Sequence, residues 1–282
     1  NNMSSSFIKQ LGMPSPDINL EAGGGSQAEQ TAKIMVGYES LLRKKTPNFC
    51  LVVGDVTSTM SCSIVAKKAN IKLIHVEAGI RSWDLSMPEE INRIITDSIT
   101  DYFFTTSKKA NENLLSTGIN EDRIFYVGNT MIDTLIKYKN KLIRPKIWDR
   151  LSLKKKRYIV MTLHRPSNID DKSRLKRIIN EVHKSLGSIP IIFSAHPRTL
   201  QQIDALDIIL PNLYVTEPLS YLEFNYLVKS SMAVITDSGG ITEETTIMKI
   251  PCMTLRDTTE RPETVSIGTN ELLGLNYRAI KP

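Results

Sequence analysis

Apolar and polar positions follow two different periods along this chain. Short runs rich in Val, Ile, Leu and Phe, such as Phe49–Asp55, are separated by longer amphipathic stretches, such as Thr57–Ala69. Uninterrupted apolar runs are typical of strands buried on both faces, and the stretches between them have the length and spacing of helices. The pattern therefore predicts parallel, doubly wound sheets covered by helices, which places the chain in the α/β class.

The same alternation continues through both halves of the chain. In the first half, further strands are predicted at 72–76, 102–105 and 123–127, and helices at 88–99, 108–116 and 131–142. In the second half, strands are predicted at 158–162, 191–194, 213–215, 232–236 and 251–255, and helices at 172–186, from 198, at 221–230 and at 241–249.

The stretch Ile143–Lys156 interrupts this alternation, because it contains Pro145 and is rich in charge. We interpret it as a linker at 144–156 between an amino-terminal α/β domain at 1–143 and a carboxy-terminal one at 157–282. Two Rossmann-like domains in tandem can face one another across a cleft. Ligands of such sheets bind beyond the carboxyl ends of the strands, so the cleft is the expected site.

The net charge of +6 raises the question of an anionic partner. The excess is spread along the chain, and its one tight cluster, Lys154–Arg157, precedes an apolar run and is typical of a solvated strand entry. No aromatic-rich RNA-binding signature accompanies it. We therefore predict no nucleic-acid partner, and note that a modest positive charge also suits a small anionic substrate.

Cysteine usage and hydropathy indicate the compartment. Cys50, Cys62 and Cys252 are odd in number, lie far apart and form no CxxC, which favours buried thiols over disulfides or a zinc site. No apolar run approaches the roughly 18 residues of a membrane span, and the amino-terminal residues lack the architecture of a signal peptide. We expect a cytoplasmic protein with no membrane partner.

Acidic residues follow the predicted strands of the first half. Asp55 comes directly after the first run, where it is suited equally to function and to capping the next helix. Glu77 comes directly after the second strand and two residues after His75, so both side chains should point to the same face. Glu89 and Glu90 open a helix behind Pro88, where acids also complement the helix dipole without any further role.

Basic residues and glycines follow the strands of the second half. His164 and Arg165 come directly after a strand; His196 and Arg198 repeat this geometry less distinctly, and His183 lies inside a helical pattern. The segment AVITDSGGITEE joins a strand to a helix through Asp237–Gly240, an arrangement typical of a phosphate site. The alternative is a plain glycine turn with a capping residue. Glu244 lies one turn into that helix, and the guanidinium groups of Arg256 and Arg261, after the next strand, suit a diphosphate.

Several common motifs are absent from the sequence. It contains no GxGxxG after the first strand, no GxxxxGK[ST], no GxSxG and no paired-His metal motif. Nicotinamide chemistry, P-loop phosphoryl transfer and zinc hydrolysis are therefore disfavoured, and we predict no cofactor and no metal.

Taken together, six segments resemble one known family in order and spacing, from about Gly37 to Leu273. They are GDVTST, HVEAGIRSWDLSMPEEINR, GNTMIDTL, TLHRPSNID, TDSGGITEE and RDTTERPE. The family is that of the non-hydrolysing UDP-N-acetylglucosamine 2-epimerases. The resemblance implies the glycosyltransferase type B architecture, a homodimer, UDP-N-acetylglucosamine and UDP as ligands, and no requirement for nicotinamide or metal.

Site residues carried over by motif fall into two groups. The resemblance implies a catalytic set of Asp55, Glu77, Glu89 and His164. It implies a substrate-binding set, with Phe224 beside the uracil, that comprises Arg93, Arg165, Phe224, Ser238, Gly239, Gly240, Glu244 and Arg261.

The sequence departs from the family pattern at both ends. The family's first strand with its GTRPE loop is absent, and so are the helices that follow the second domain. The resemblance therefore implies either a partial sequence or a truncation, and little activity for these 282 residues alone.

The chemistry implied by the resemblance is elimination of UDP to give 2-acetamidoglucal, followed by its re-addition. The C2 hydrogen of the sugar is not next to a carbonyl, so simple deprotonation has no stabilised carbanion. Hydrolysing sister enzymes differ in the VEAGIRS and MPEEINR segments, which favours the reversible epimerase. A glycosyltransferase of the same fold, or a nucleotide-sugar-binding protein without turnover, would share the UDP site.

Overall fold

A computed structural model describes residue 8 and residues 10–280, and these form two compact units. The first unit is Ser15–Thr130; the second comprises the described residues of 1–14 and 131–282. The extreme ends of the two predicted domains lie outside the described residues. Each unit contains one parallel sheet flanked by helices, so the predicted α/β class is confirmed.

The first unit is built on a four-stranded sheet in the order β1-β2-β3-β4. Its strands are β1 (Phe49–Val53), β2 (Lys72–Ala78), β3 (Tyr102–Thr105) and β4 (Ile124–Tyr126). Its helices are α1 (Gln27–Leu42), α2 (Thr57–Lys68), α3 (Pro88–Ile99) and α4 (Lys108–Ser116), with a 3-10 turn at Glu121–Arg123.

Local signals fix where these helices begin. Ser26 and Glu29 form a reciprocal capping box at the start of α1, in which each side chain accepts a hydrogen bond from the other residue's backbone N–H. Pro88 occupies the first turn of α3, where its missing N–H costs no hydrogen bond. The first carboxylates of α3 therefore project from a defined position.

The second unit is built on a six-stranded sheet in the order β10-β9-β8-β5-β6-β7. Its strands are β5 (Ile159–Thr162), β6 (Ile191–Ser194), β7 (Leu213–Thr216), β8 (Ala233–Thr236), β9 (Cys252–Thr254) and β10 (Asn270–Leu272). Its helices are α5 (Thr130–Tyr138), α6 (Lys146–Arg150), α7 (Pro166–Ile169), α8 (Lys172–Leu186), α9 (Pro197–Asp204), α10 (Tyr221–Ser230), α11 (Gly239–Met248) and α12 (Pro262–Ser266), with a 3-10 turn at Tyr277–Ala279.

From β5 the chain continues outward through β6 and β7, and it then returns to β8 on the other side of β5. β5 and β8 are parallel and pair directly along their length, so the topological switch point lies between them. A doubly wound sheet opens a crevice at such a switch point, because the connections leave it on opposite faces. The loops after β5 and β8 are therefore the expected ligand-binding position of this sheet.

Alternate residues of the central strands enter two separate cores. Ile159 and Met161 pack in one buried cluster, whereas Tyr158 and Val160 pack in the other, with Trp148. Both faces of the second sheet are therefore covered, which explains why its strands read as continuous apolar runs.

Two details differ from the sequence-based expectation. The stretch predicted as a linker at 144–156 contains α6, and its Ile147 and Trp148 are buried in the core of the second unit. The two units divide between Thr130 and Met131 rather than in this stretch. Pro145 begins that helix instead of breaking the fold, since it stands at the N-cap.

Within residues 10–280, none of the helices combines the length and apolarity that a membrane span needs.

Candidate active site

The loop after β1 presents Asp55 in an ion pair. Its Oδ2 lies 2.5 Å from Nη2 of Arg93, and its backbone carbonyl accepts a hydrogen bond of 2.8 Å from Nδ2 of Asn92. The N-cap of α2 is Val56, and no side chain of the described residues caps that helix. The alternative in which Asp55 caps the helix is therefore not what the structure shows, and its carboxylate is committed to α3.

Glu77 lies at an irregularity near the end of β2. The pairing of β2 with β3 shifts register between Val76 and Ala78, and Glu77 has a φ of +72°. The strict alternation that sequence analysis assumed ends here, because a bulge re-aims its side chain. The Glu77 carboxylate lies beside Gly54, where an added Cβ would come within 3.4 Å of Oε2.

A buried histidine ties this loop to the sheet and to α3. His75 is fully buried; its Nδ1 lies 2.7 Å from Oδ1 of Asp97 and its Nε2 lies 2.8 Å from the carbonyl oxygen of Gly54. Both ring nitrogens therefore face oxygen atoms, one on α3 and one in the loop after β1. Nη2 of Arg81 also lies 2.7 Å from Asp97.

Asp97 is the shared anion of this cluster. Burial alone would raise its pKa, but the contacts with His75 and Arg81 hold the pKa of its carboxyl below the ordinary value. Its other oxygen accepts a 3.1 Å hydrogen bond from the backbone N–H of Gly79. His75 is therefore a supporting residue for Asp55 and Glu77.

The two acids at the start of α3 have different surroundings. Glu90 is fully buried, accepts hydrogen bonds from Ser82 and Trp83, and pairs with Nη1 of Arg93 at 2.9 Å. Glu89 is exposed and lines a cavity of about 510 Å³ together with Asn92 and part of the loop before α1. Only Glu89 is thus presented to a ligand, whereas Glu90 orders the chain around Arg93.

The second group of candidates lies at the β5–β8 switch point. Thr162 and Thr236 are register partners at the ends of these strands and share a hydrogen bond of 2.8 Å. His164 and Asp237 follow these ends, and Nδ1 of His164 lies 2.8 Å from Oδ1 of Asp237. The His164 side chain is 51% exposed and that of Asp237 is buried.

The Asp237 carboxylate is enclosed by donors. It accepts hydrogen bonds from the backbone N–H groups of His164 and Arg165 and from Nδ2 of Asn168. Burial would raise its pKa, but these bonds and the adjacent His164 lower it on balance. The sequence pattern includes Asp237 only as the first residue of the turn Asp237–Gly240 and predicts no catalytic or substrate-binding role for it; its position directly before Ser238 was the available signal.

The turn after β8 carries Ser238, Gly239 and Gly240 into α11. Ser238 is the N-cap residue, but within the described part of the chain its side chain makes no capping hydrogen bond. Its backbone N–H donates to Oγ1 of Thr236 at 3.0 Å. An added Cβ at Gly239 would come within 2.4 Å of Oε1 of Glu260. Glycine is therefore required at 239 by the close approach of a buried carboxylate to the helix start.

Guanidinium groups surround that carboxylate. Nη2 of Arg256 lies 2.6 Å from Glu260, and Nη2 of Arg165 lies 3.8 Å from it. Burial would raise the pKa of Glu260, but Arg256 and Arg261 lower it to about 2. Arg261 itself is buried, with Nε 2.8 Å from Oε1 of Glu243 on α11. Its assignment to diphosphate remains a prediction, since the structure shows it in an ion pair.

Glu244 on α11 and Tyr221 on α10 form a second polar pair. The Tyr221 hydroxyl donates to Oε1 of Glu244 at 2.8 Å. Burial raises the pKa of Glu244 to about 7, against the hydrogen bond from Tyr221, which lowers it. Phe224, also on α10, is half-buried against the cluster that contains Tyr158.

The remaining histidines have structural partners. His196 caps α9, where its Nδ1 accepts from the N–H of Arg198, and Arg198 pairs with Asp170 at 2.7 Å. His183 contacts the side chain of Asn212. Within each unit, the structure thus brings together Asp55, Glu77 and Arg93, and separately His164, Arg165 and the start of α11.

Comparison with known proteins gives a consistent result. The family model described as UDP-N-acetylglucosamine 2-epimerase matches residues 1–282. The UDP-N-acetylglucosamine 2-epimerase of Methanocaldococcus jannaschii is 42% identical over 98% of this chain and 78% of its own length. The UDP-2,3-diacetamido-2,3-dideoxy-D-glucuronate 2-epimerase of Pseudomonas aeruginosa is 36% identical over 97% of this chain and 77% of its own length.

Solved structures show the same relationship. The M. jannaschii UDP-GlcNAc 2-epimerase, crystallised with UDP-GlcNAc and UDP, has a TM-score of 0.90 at 40% identity, covering 98% of this chain and 78% of its own. The glycosyltransferase of kitacinnamycin has a TM-score of 0.53 at 11% identity, covering 91% of this chain and 70% of its own, and shows the fold alone. The predicted glycosyltransferase type B fold class is confirmed. This chain belongs to the UDP-N-acetylglucosamine 2-epimerase family of isomerases.

Proposed function

We propose that this protein interconverts UDP-N-acetylglucosamine and UDP-N-acetylmannosamine without hydrolysing them. The observation that carries this proposal is the cluster after β1 and β2, where Asp55 pairs with Arg93 and Glu77 lies beside Gly54. A glycosyl transfer needs a nucleotide site but not several acids at strand ends. The match of the epimerase family model to residues 1–282 supports the epimerase activity.

The reaction we propose is an elimination followed by a re-addition. A base takes the C2 proton, the electrons of the C2–H bond form a C1=C2 double bond, and the C1–O bond breaks with its electrons going to UDP. The intermediate is 2-acetamidoglucal. UDP then adds to C1 while an acid delivers a proton to the opposite face of C2, so both steps require positioned proton-transfer groups.

The residues divide between these tasks. Ser238, Gly239 and Gly240 would hold the leaving diphosphate at the start of α11, with Arg165 and Arg261 adding charge. Glu244 would accept hydrogen bonds from the ribose, and Phe224 would lie beside the uracil. Asp55, Glu77, Glu89 and His164 would move protons, and Arg93 would bind substrate while holding Asp55. No metal or other cofactor is part of this proposal.

A buried guanidinium group beside Gly239 supports the proposal that the start of α11 binds the diphosphate. Nη1 of Arg256 is buried 3.6 Å from the position of a Cβ on Gly239, and it has no hydrogen-bond acceptor among residues 10–280. An unsatisfied buried donor is unusual, because its desolvation is not repaid. A phosphate oxygen at the start of α11 would provide the missing acceptor.

A second substrate deserves a direct comparison. The P. aeruginosa relative acts on a nucleotide sugar that carries a carboxylate and a 3-acetamido group. The same epimerisation at C2 applies to that sugar, so the two candidates differ only in which substituents the site accepts. Turnover of UDP-2,3-diacetamido-2,3-dideoxy-D-glucuronate, measured beside UDP-N-acetylglucosamine, distinguishes them by kcat/KM.

Incubation with UDP-N-acetylglucosamine in heavy water, with no acceptor present, tests the proposal. We expect UDP-N-acetylmannosamine by NMR, with deuterium at C2 of both epimers. Free N-acetylmannosamine with stoichiometric UDP would instead identify a hydrolysing enzyme. Binding of UDP without any C2 exchange would identify a protein that does not turn the substrate over.

Two further properties follow by proposal. The free thiols of Cys50, Cys62 and Cys252 favour the cytoplasm, where thiols stay reduced.

We also propose a homodimer, because Ile91 and Ile94 lie one turn apart on α3 and are exposed. Sedimentation velocity gives the mass directly, and a monomer at micromolar concentration would contradict the dimer. We propose neither a nucleic-acid nor a membrane partner.

A further inference from the structure

The imidazole ring of His164 lies between the buried carboxylate of Asp237 and solvent. Nδ1 lies 2.8 Å from the carboxylate, while half of the side chain is exposed. A carboxylate oxygen only accepts hydrogen bonds, so Nδ1 must carry a hydrogen to make this contact. A neutral ring then leaves the Nε2 lone pair free for a ligand.

We propose that Asp237 is a positioning residue that holds His164 with its hydrogen on Nδ1, so that Nε2 is the atom that accepts or returns a proton. The inference rests on the proposed function only for the role of Nε2. The protonation of Nδ1 follows from the geometry alone. Asp237 would not touch substrate, since it is fully buried behind the ring.

The donors around Asp237 make the inference testable by one substitution. Oδ2 receives three of them: the N–H of Arg165 at 3.0 Å, Nδ2 of Asn168 at 3.0 Å, and the N–H of His164 at 3.2 Å, which Oδ2 shares with Oδ1 at 3.1 Å. In Asp237→Asn, the amide oxygen should occupy this position, because an NH2 group there would face three donors. The NH2 group must then point toward Nδ1 of His164.

Asp237→Asn should therefore reverse the tautomer. A donor facing Nδ1 requires Nδ1 to be an acceptor, so the hydrogen moves to Nε2. The side chain at 237 keeps its size and most of its hydrogen bonds. Nε2 of His164 then carries a hydrogen and can no longer accept a proton. We expect kcat to fall by about 10-fold or more, up to the roughly 10⁴-fold that a wrong tautomer can cost, with KM changing much less.

The measurement is the protonation of Nδ1 in histidine-labelled protein at pH 8.5, from long-range ¹H–¹⁵N spectra. The sequence has four histidines, and His164→Gln identifies the signal of interest. We expect a protonated Nδ1 in the wild type and an unprotonated Nδ1 in Asp237→Asn. Asn168→Ala is the matched control, because it removes a donor from Oδ2 but leaves Oδ1 facing the ring.

The outcomes separate the inference from the proposed function. An unprotonated Nδ1 in the wild-type protein overturns the inference, even if Asp237→Asn fails to fold. So does an unchanged tautomer in a folded Asp237→Asn, or a reversed tautomer in Asn168→Ala. None of these spectra involves substrate, so failure of the protein to epimerise UDP-N-acetylglucosamine would be a separate result.

Discussion

Buried carboxylates in the second unit differ widely because each has a different set of neighbours. Glu260 lies among guanidinium groups, which lower its pKa to about 2 against the effect of burial. Glu244 is also buried in the second unit, but burial raises its pKa to about 7. Its partner Tyr221 is a neutral hydroxyl, whose hydrogen bond offsets the effect of burial only in part. Sequence analysis placed Glu244 correctly one turn into a helix, but only the packing of α10 against it determines this shift.

Glu244 should make the stability of the second unit depend on pH in a defined direction. Its folded pKa of about 7 is above the ordinary 4.5, so the folded state retains the proton longer than the unfolded state. The contribution is fully present below pH 4.5 and is lost as pH rises through 7. Its upper limit is about 3.5 kcal/mol, at about 1.4 kcal/mol per tenfold change in proton affinity.

Denaturant unfolding at pH 5 and pH 8 checks this prediction. In a Trp83→Phe background, Trp148 fluorescence reports on the second unit, because these are the only two tryptophans. We expect Glu244→Gln to abolish part of the stability loss between the two pH values, and the exposed Glu217→Gln to leave it unchanged. An identical loss in the wild type and Glu244→Gln would contradict the prediction.

Gly239 and Gly240 provide a matched pair of substitutions in the first turn of α11. Alanine at 239 would place Cβ 2.4 Å from Oε1 of the buried, ion-paired Glu260, whereas alanine at 240 would meet the terminal methyl of Met131 at 2.7 Å. A flexible side-chain end moves easily and an enclosed carboxylate does not. We expect Gly239→Ala to destabilise the second unit by about 1–3 kcal/mol, and Gly240→Ala by clearly less, in the same unfolding assay. Equal losses would show that Glu260 yields as readily as Met131.

At the scale of elements, strand ends position the chemistry and helices behind them hold it in place. His75 near the end of β2 bonds to Gly54 after β1 and to Asp97 on α3, so a single ring links three elements. In the second unit, Asp237 after β8 links to His164 and Asn168 after β5. In each unit a buried side chain, His75 or Asp237, makes hydrogen bonds to the neighbouring loops. These bonds restrict the motion of the site residues that those loops carry.

The linkage through Asp97 predicts a large effect at a position remote from any substrate. Asp97→Asn would leave Arg81 and His75 buried without their shared anion, a change that typically costs 3–5 kcal/mol. We expect hydrogen exchange to accelerate in peptides from β2 and α3. Asp122→Asn, at an exposed position in the same unit, should change stability by about 0.5 kcal/mol or less. Native-like protection of α3 in Asp97→Asn would show that the cluster does not hold these elements together.

Elements with a single strong local pattern were predictable, and those defined by distant partners were not. The bounds of α3 agree with the predicted helix at 88–99 because Pro88 marks its start and an amphipathic pattern runs to its end. α11 begins two residues before the predicted 241, since Gly239 and Gly240 read as a turn while the local helix bonds already include them. β10 (Asn270–Leu272) could not be predicted because its apolar run is too short, and it is a strand only through its pairing with β9.

The candidate site shows the same limit. Asp55, Glu77 and His164 follow strands that are visible in the sequence, so their placement at loops could be predicted. The pairing of His164 with Asp237 depends on β5 lying beside β8, a strand order that connects residues 73 positions apart. The contact of Arg93 with Asp55 likewise requires α3 to pack against α2 and β2. No local pattern records such contacts.

At the scale of the whole molecule, the two units carry different parts of the proposed function. The second unit contains the turn, the cations and the carboxylate that suit a nucleoside diphosphate. The first unit contains Asp55, Glu77 and Glu89, which suit proton transfer at the sugar. His164 and Asp237 belong to the second unit but act in proton transfer in the proposed reaction; outside this pair, the division predicts that variants of the two units will have different kinetic signatures.

Glu244→Gln and Glu77→Gln are the matched pair that tests this division at pH 8. The first should weaken UDP binding by about 10-fold or more, since a charge-assisted hydrogen bond to the ribose contributes roughly 1.5–3 kcal/mol. The second should leave the calorimetric affinity for UDP unchanged, because UDP alone lacks the sugar on which Glu77 acts. In turnover, Glu77→Gln should lower kcat by about 10²–10⁴-fold with a much smaller change in KM, as expected for a general acid or base; Glu89→Gln should behave in the same way. Loss of UDP affinity in Glu77→Gln would assign the first unit to nucleotide binding, and a normal kcat in both Gln variants of the first unit would remove these acids from the reaction.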